Sequence, residues 1–329
     1  MARKNEKKQI ISYENSIKKS TELSMSKLNQ GLTLNEMQLL AYAIYSTQKD
    51  GKTEFNKADF EKKFSLEKYQ TIHAKKDAQS ILNLKFSIED IENDYFEYYN
   101  VFQSIKYDRG LFRFKWTEDM IPHILELKEK YVITDLTITS QFRSGFSWTL
   151  YEYLKANYGY WHKPLSKEAL MRLFGVEDKK TYKNNTGRFK TSVLDVAIEE
   201  INQYTEFNVW YMEEKEGRAI IAFDLHWSTG EVIPSATNKQ IDELITVRDA
   251  IFENLLTYVN LKDDINRQRS IELMEEVKGL SEITHEPICI TNKEADLRLK
   301  KANWVLNELE NLVALDKKAP VVHHNWLDK

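Results

Sequence analysis

Apolar residues recur at helical spacing in the first part of the chain, behind polar residues of the kind that cap helices. Thr33 and Glu36 have the spacing of a capping box, in which each side chain satisfies a free backbone amide of the first turn. The apolar positions behind them repeat every three or four residues to about Gln48 and predict one buried helix face. They are Leu34, Met37, Leu40, Ala41 and Ile44. Similar patterns predict two further helices, from Asn56 to Phe64 and from Tyr69 to Leu82.

After Leu82 the apolar period shortens to two, which is typical of strands that bury one face. Three short segments show this alternation. Their apolar residues are Phe86 and Ile88, then Phe96 and Tyr98, then Phe112, Phe114 and Trp116. Asp108 to Gly110 has the composition of a turn before the last of these strands, so the pattern predicts a small antiparallel sheet. The segment from Glu118 to Tyr131 predicts a closing helix.

The same order of elements returns in the second half of the chain. Helices are predicted from Trp148 to Asn157, from Ser166 to Phe174 and from Arg188 to Gln203. Two alternating segments, Phe207 to Met212 and Ala219 to Trp227, then predict a hairpin. Three helices followed by a hairpin are the elements of a helix-turn-helix with a β-wing. The predicted fold class is therefore α+β, with two tandem winged-helix domains followed by a helical C-terminal extension.

Changes of composition along the chain predict the domain boundaries. Residues 1-20 form a basic N-terminal tail, 21-135 the first winged-helix domain, 136-228 the second, and 229-329 the helical extension. Within the extension, Thr237 to Lys239 and Thr291 to Lys293 each have the pattern of a helix start. The extension could brace the domains or bind a host protein, and the sequence does not separate these alternatives.

The composition is that of a folded protein, with 42% hydrophobic and 12% aromatic residues in 329. Cys289 is the single cysteine, so an internal disulfide is excluded. The N-terminus has no continuous apolar core of a signal peptide, and no stretch approaches the roughly 20 apolar residues that cross a bilayer. We therefore expect a soluble protein of the bacterial cytoplasm with no membrane partner.

The net charge of -4 conceals an uneven distribution along the chain. Residues 1 to 30 carry seven Lys or Arg against three Asp or Glu, and residues 141 to 194 carry ten against four. Residues 229 to 329 carry thirteen against eighteen, which offsets these basic blocks in the total. A basic block hidden in this way is compatible with binding to nucleic acid.

The second basic block surrounds the start of the helix predicted from Arg188. Basic and amide side chains occupy the loop before this helix and its first turn, whereas acidic residues occupy its distal half. The first group is Lys179, Lys180, Lys183, Asn184, Asn185, Arg188 and Lys190, and the second is Asp195, Glu199 and Glu200. A helix-turn-helix places this end of its second helix in the major groove, where arginine suits guanine and asparagine suits adenine. Asn184, Asn185 and Arg188 are therefore candidates to read bases, and the lysines to hold phosphates. The alternative is that the loop is only a solvated surface connection.

Two further groups are candidate DNA contacts. Lys215 and Arg218 flank the tip of the predicted wing, although a charged tip is equally ordinary for solubility. His73, Lys75 and Lys76 lie on the third helix of the first domain. Acidic residues surround this helix and would repel phosphate, so a smaller contribution is expected from the first domain. They are Glu67, Asp77, Glu89, Asp90, Glu92, Asp94 and Glu97.

Motifs of enzymes and metal sites are absent from the sequence. None of the ten glycines forms a phosphate-binding loop, and there is no H-E-x-x-H motif and no cysteine pair. His323 and His324 lack the spacing of a nicking enzyme's metal ligands. Tyr158, Tyr160 and Trp161 could stack on bases but are assigned to structural packing. No catalytic residue, cofactor or metal is predicted.

Four segments together resemble a known family. They are ELSMSKL (Glu22 to Leu28), TLNEMQLLAYA (Thr33 to Ala43), Tyr182-Lys183, and RFKTSVLDVAIEEIN (Arg188 to Asn202). The chain resembles the theta-type, iteron-binding plasmid replication initiators over about residues 20 to 228. Arg188, Lys190, Thr191 and Ser192 match the start of the family's reading helix. Asn184 to Gly187 departs from the family pattern, in which this loop is often rich in Lys and Arg.

The resemblance implies how such a protein acts. Its second domain reads direct repeats at a plasmid origin as a monomer, and its first domain touches the DNA backbone and mediates a homodimer, which in such families can repress the initiator's own promoter. Host replication-initiation or helicase-loading proteins are implied partners. Two alternatives stay open: a tandem winged-helix transcriptional regulator without origin function, and a rolling-circle nicking initiator.

Overall fold

The computed structural model describes residues 5–25, 31–90, 95–127, 130–284 and 290–318. The chain divides into two compact units, Met1–Ile233 and Pro234–Lys329, and each has its own hydrophobic core. Expectations about Cys289, His323, His324, Glu92 and Asp94 lie outside the described residues.

The first unit contains the helices and strands of both winged-helix domains. Its strands are β1 (Lys8–Ile11), β2 (Ser16–Ser20), β3 (Glu54–Asn56), β4 (Lys85–Asp90), β5 (Tyr95–Asn100), β6 (Phe102–Asp108), β7 (Leu111–Trp116), β8 (Tyr131–Asp135), β9 (His162–Ser166), β10 (Phe207–Glu216), β11 (Ala219–Thr229) and β12 (Glu231–Pro234), the last reaching the unit boundary. Its helices are α1 (Thr21–Met25), α2 (Leu34–Asp50), α3 (Lys57–Lys63), α4 (Thr71–Leu82), α5 (Ile121–Ile124), α6 (Leu136–Thr139), α7 (Gly145–Ala156), α8 (Lys167–Leu173), α9 (Lys180–Lys183), α10 (Thr186–Phe189) and α11 (Asp195–Tyr204).

The first winged-helix domain is organised around α2, which begins at the predicted capping box. The Thr33 N–H donates to Glu36 Oε2 at 2.7 Å, and the Glu36 N–H donates to Thr33 Oγ1 at 3.3 Å. Gly51 ends the helix in the left-handed conformation with φ 67°, which glycine adopts without a steric penalty. Strand β3 pairs with β7 of the hairpin, which gives the sheet order β3-β7-β6.

The second domain repeats this topology. Helix α7 is followed by strand β9 and by α8, at whose start Ser166 Oγ accepts from the Ala169 N–H at 3.1 Å. The hairpin of β10 and β11 pairs with β9 in the order β10-β11-β9. In both domains the strand between the first two helices thus pairs with the second strand of the hairpin. The prediction of two tandem winged-helix domains is confirmed.

Helix α7 connects the two domains of this unit. It packs against α1, α2 and β8 on one side and against α11 on the other. Trp148, Leu150, Tyr151 and Leu154 on this helix are all buried and belong to one hydrophobic cluster with residues of both domains. The second domain is therefore packed directly against the first within this unit.

The predicted basic tail, residues 1-20, is largely built into the structure. Strand β1 pairs with β12, and β2 pairs antiparallel with β8. Lys7 Nζ donates to the carbonyl of Asn202 at 2.6 Å, near the C-terminus of α11, where a cation complements the helix dipole. Lys19 is buried and forms an ion pair with Glu152 of α7, at 2.7 Å. These lysines therefore hold the fold together and are not part of a loose basic segment.

The closing helix predicted from Glu118 to Tyr131 is wrong over most of its length. A 3-10 turn at Glu118–Met120 leads into α5, which ends at Ile124. Tyr131 already begins β8, whose backbone groups pair with β2. Pairing with β2, more than 100 residues earlier in the chain, stabilises this extended conformation. The local spacing of apolar residues carries no information about such a distant partner.

The second unit is helical, as predicted for the C-terminal extension. Its helices are α12 (Asn238–Glu253), α13 (Leu255–Val259), α14 (Asp264–Glu276) and α15 (Asn292–Lys318). Thr237 caps α12 in a capping box with Gln240, and Thr291 Oγ1 accepts from the Glu294 N–H at 3.2 Å at the start of α15. Leu244, Leu273 and Leu309 lie in its core. Among the described residues of the whole chain, no helix combines the length and apolar character needed to span a bilayer.

Candidate nucleic-acid interface

Residues 186–204 form one continuous helical segment, which we call the reading helix. It consists of α10, one π-helical turn at Lys190–Leu194, and α11. Asn185 caps its start, because its Oδ1 accepts from the Arg188 N–H at 2.9 Å. One side of the segment is fully buried against the domain core. The buried residues are Phe189, Val193, Leu194, Ala197 and Ile201.

The buried side fixes which side chains face outward. Seven of the predicted DNA contacts are exposed around the start of the reading helix, in α9, the loop and the first turns. They are Lys180, Lys183, Asn184, Asn185, Arg188, Thr191 and Ser192. Lys183 is held in place through its carbonyl, which accepts from Lys167 Nζ at 3.0 Å. The structure therefore brings these seven residues together on one solvent-facing surface, which we call the basic surface.

Lys190 behaves differently from its neighbours. It is half-buried, and its ammonium group forms an ion pair with Glu213 on β10 and lies 5.8 Å from the centre of the Tyr211 ring. In this structure Lys190 thus fastens the reading helix to the first strand of the wing. Its predicted role as a phosphate contact would require this ion pair to break.

The wing is the hairpin of β10 and β11, and it reverses at Gly217 with φ 60°. The predicted contacts Lys215 and Arg218 are both exposed at this tip. Lys215 Nζ lies 3.0 Å from Glu213 Oε2. Hydrogen bonds from Lys190 and then from Lys215 hold the pKa of Glu213 below its ordinary value. Glu213 was not among the predicted functional residues, yet its ion pairs connect the reading helix to the wing.

The candidate contacts of the first domain lie on α4, which occupies the position of the reading helix in that domain. His73, Lys75 and Lys76 are exposed, while Asp77 points inward and accepts from the Tyr69 hydroxyl at 2.7 Å. Burial raises the pKa of Asp77, with the Tyr69 hydrogen bond opposing this shift. Asp77 is therefore part of the domain core and is not an acidic group on the outer face of α4.

The aromatic cluster after α7 is not packed as predicted. Tyr158 is 83% exposed and Tyr160 62% exposed, so the assignment of these two residues to structural packing is wrong. Trp161 is also exposed, at 42%, and its ring contacts that of His162, with centres 4.0 Å apart and an interplanar angle of 43°.

The chain matches two models that describe the domains of one protein family. The family model described as Initiator Replication protein, WH1, matches residues 16–155, and the model described as Initiator Rep protein, WH2, matches residues 166–227. Together the two matches cover more than half of the chain. The first match includes residues 136–155 and hence α7, which sequence analysis placed in the second domain, so the boundary at 135 stays a prediction.

Among solved structures, the chain is similar to the Pi initiator protein, whose crystal structure is in complex with iteron DNA. The two share 21% sequence identity at a TM-score of 0.52, over 67% of this chain and 100% of that chain. RctB domains 2-3 match at 12% identity and a TM-score of 0.37, over 58% and 81% of the two chains. The similarity to the Pi initiator shows a shared fold. The TM-score with RctB domains 2-3 is too low for a structural conclusion. No curated protein matches the chain.

Proposed function

Because the chain belongs to the family of initiator replication proteins with WH1 and WH2 domains, we propose that it starts plasmid replication by binding repeated sites at the origin. Its target is double-stranded DNA carrying direct repeats. The similar Pi initiator was solved on iteron DNA, which supports this choice of ligand. The setting is the bacterial cytoplasm, where plasmid DNA is replicated.

The observation that carries the proposal is the basic surface at the start of the reading helix. Its side chains are exposed, while the opposite side of the helix is buried and fixed in orientation. A helix held in this way can insert its first turns into the major groove without rearranging the domain. Arg188 and Asn184 then face base edges, and Lys180 and Lys183 approach phosphates.

The mechanism we propose requires no covalent chemistry. Binding to successive repeats bends or strains the adjacent A·T-rich duplex, and the deformed DNA becomes the site where host helicase-loading or replication-initiation proteins assemble. The first domain adds backbone contacts through His73, Lys75 and Lys76 on α4. A homodimer in equilibrium with the monomer represses the protein's own promoter.

A plasmid-replication assay tests this function. A mini-replicon that carries this gene and its flanking repeats should replicate autonomously, and footprinting should show protection at regular intervals across the repeats. Intact promoter repression without autonomous replication would favour a transcriptional regulator instead. Metal-dependent cleavage of supercoiled origin DNA would point to a nicking enzyme and contradict the non-enzymatic mechanism.

A further inference from the structure

Three side chains of the second domain converge on one face of the wing sheet. Asp224 Oδ1 lies 3.1 Å from His162 Nδ1, and Asp224 Oδ2 lies 2.8 Å from His226 Nε2. One ligand atom from each of the three residues lies within 4.8 Å of the others. Among the residues that the structure describes, no other three histidine, cysteine or acidic side chains bring their ligand atoms this close together.

Strand register produces this convergence. His226 on β11 stands directly opposite His162 on β9. Asp224 lies two residues before His226 and so projects from the same face of the sheet, since strand side chains alternate. Phe223 and Leu225 point to the other face and are buried in the core. The three polar groups therefore occupy the face of the sheet opposite the core.

Aromatic rings flank the group on the side of His226. The Trp161 ring centre lies 4.0 Å from that of His162, and the Trp210 ring stacks on His226 with centres 5.5 Å apart and an interplanar angle of 10°. These rings leave His226 only 7% exposed, although it lies on the face away from the core. Asp224 and His226 are therefore shielded from water, whereas the His162 side chain is 37% exposed and leaves the site open to ions from solvent.

The buried nitrogen of His226 has no hydrogen-bond partner among the described residues. Nε2 lies 2.8 Å from the Asp224 carboxylate, but the angles of this contact are not those of a hydrogen bond. A buried polar atom without a hydrogen-bond partner lowers the stability of the folded state unless a bound water or ion interacts with it. A cation held between imidazole and carboxylate would satisfy it.

We propose that His162, Asp224 and His226 bind one divalent transition-metal ion, with Zn²⁺ as the best fit. Metal–ligand distances of about 2.0–2.1 Å place the ligand atoms of a four-coordinate Zn²⁺ site about 3.3–3.4 Å apart. His162 Nδ1 lies 3.1 Å from Asp224 Oδ1 and His226 Nε2 lies 2.8 Å from Asp224 Oδ2, so each imidazole contacts a different oxygen at about 0.2–0.6 Å less than that spacing. Small side-chain rotations that separate these pairs make room for one ion among the three residues, whose ligand atoms already lie within 4.8 Å of one another. Two imidazole nitrogens disfavour Mg²⁺ and Ca²⁺, which prefer oxygen ligands. One coordination position remains for water.

The bound ion has a structural role. It joins β9, which follows the first helix of the domain, to β11, which forms half of the wing. The sheet that carries the wing is then cross-linked at the end away from the tip. Metal binding at this site is independent of the proposed function and is measured without DNA.

The first experiment asks whether the site binds Zn²⁺. The protein is the full chain carrying Cys289→Ser, His323→Gln and His324→Gln, which removes the one thiol and two of the three imidazoles that lie outside the described residues; His285, the third, is tested separately below. Titration calorimetry with ZnCl₂ should give one equivalent bound, and MgCl₂ should give none. Co²⁺ should quench the fluorescence of Trp161 and Trp210, with no sulfur-to-cobalt charge-transfer band. Failure of this protein to bind stoichiometric Zn²⁺ overturns the proposal.

The second experiment asks whether these residues are the ligands. In the same background, His162→Gln and Asp224→Asn should each weaken Zn²⁺ binding at least about tenfold, since even outer-shell partners of a metal contribute about 10–100-fold. His285→Gln, outside the described residues, is the matched control and should bind normally. His162→Gln should keep the melting temperature of the metal-free parent and lose the increase caused by Zn²⁺, which separates loss of a ligand from misfolding. Unchanged Zn²⁺ affinity in both ligand variants overturns the proposal.

Discussion

At the scale of single residues, the bonding partner of each polar side chain near the reading helix determines whether that side chain is available to contact DNA. Asn185 uses its Oδ1 to cap the helix, and Lys190 is committed to Glu213. The Arg188 guanidinium is exposed in the first turn of the same helix, while its backbone N–H is the group that Asn185 caps. Arg188 is therefore the residue of this group that we propose reads a base.

We predict that Arg188→Ala weakens binding to the specific repeat by about 1–3 kcal/mol, because a bidentate contact to guanine is lost. Binding to random DNA should change little. Fluorescence anisotropy with repeat and scrambled duplexes at one salt concentration measures both. Arg269→Ala, which removes an arginine from α14 of the second unit, is the control and should leave both affinities unchanged. Equal losses on the two duplexes would contradict a base-reading role.

A second residue-scale prediction concerns the buried carboxyl of Asp77. Its pKa is raised by burial, so the folded state favours the protonated form. The resulting stabilisation is fully present below the ordinary aspartate pKa of about 3.9 and is lost as the pH rises through the higher folded-state value. Urea unfolding across this range should therefore show that Asp77→Asn gains stability relative to wild type as the pH rises.

Tyr69→Phe provides the opposite test of the same pair. It removes the hydroxyl that donates to the charged carboxylate, so the pH-dependent loss of stability should become larger than in wild type. An Asp77→Asn protein whose stability runs parallel to wild type at every pH would show that this carboxyl does not titrate between the two states.

At the scale of elements, local signals predicted the longer helices of the first unit, whereas strands that pair with distant segments were missed. The capping box of α2, the Ser166 cap of α8 and the Gly217 turn of the wing are encoded within a few residues and could be predicted from the sequence. Strands β1, β2 and β8 could not, because their partners lie more than 100 residues away. For the same reason His162 and Asp224, which are 62 residues apart, gave no metal-binding signal.

We predict that Glu152→Gln destabilises the first unit by about 3–5 kcal/mol, because it leaves the Lys19 ammonium buried without its counter-charge. Glu152 is fully buried on α7, and Lys19 is on β2, so this ion pair fastens the N-terminal segment to the helix that connects both domains. Chemical denaturation measures the loss. Glu231→Gln breaks an exposed pair with Lys8 and should cost at most about 1 kcal/mol. If Glu152→Gln and Glu231→Gln lowered the free energy of unfolding by similar amounts, the buried ion pair would not be the more important of the two.

Gly230 provides a second element-scale prediction. A Cβ at this position would lie 2.4 Å from the Lys7 carbonyl oxygen, at the place where the N-terminal segment meets the end of β11. Gly230→Ala should therefore push β1 away from β12 and cost at least about 1–3 kcal/mol. Gly159→Ala is the matched control, because an added Cβ there meets no atom within 4 Å. Hydrogen exchange of the β1 amides should increase in Gly230→Ala alone, and unchanged protection would contradict the assigned packing.

At the scale of the whole molecule, the distribution of charge matters more than its total. The net charge is -4, yet the described basic surface presents Lys180, Lys183 and Arg188 together on one side of the second domain. Attraction to DNA depends on this local field and on the salt concentration that screens it. A protein with a slightly acidic total can therefore bind a polyanion strongly.

The salt dependence of DNA affinity measures how many phosphates the protein contacts. If about six phosphates are neutralised, the plot of log affinity against log salt should have a slope near -5, from about 0.9 per phosphate. The double variant Lys180→Ala with Lys183→Ala should reduce the magnitude of the slope by about two. Equilibrium titrations between low and physiological salt give both values. A flat response in wild type, or an unchanged slope in the double variant, would contradict phosphate anchoring.

The pairing of β1 with β12 has a consequence for synthesis of the chain. Lys8 leaves the ribosome 223 residues before Glu231, which at about 5–20 residues per second is an interval of roughly 10–45 s. Throughout that time the N-terminal strand has no edge to join, however completely the intervening domains have folded. Closure of this unit is therefore one of the last events of its translation, and a nascent chain arrested before residue 231 carries a strand that is open to chaperones and proteases.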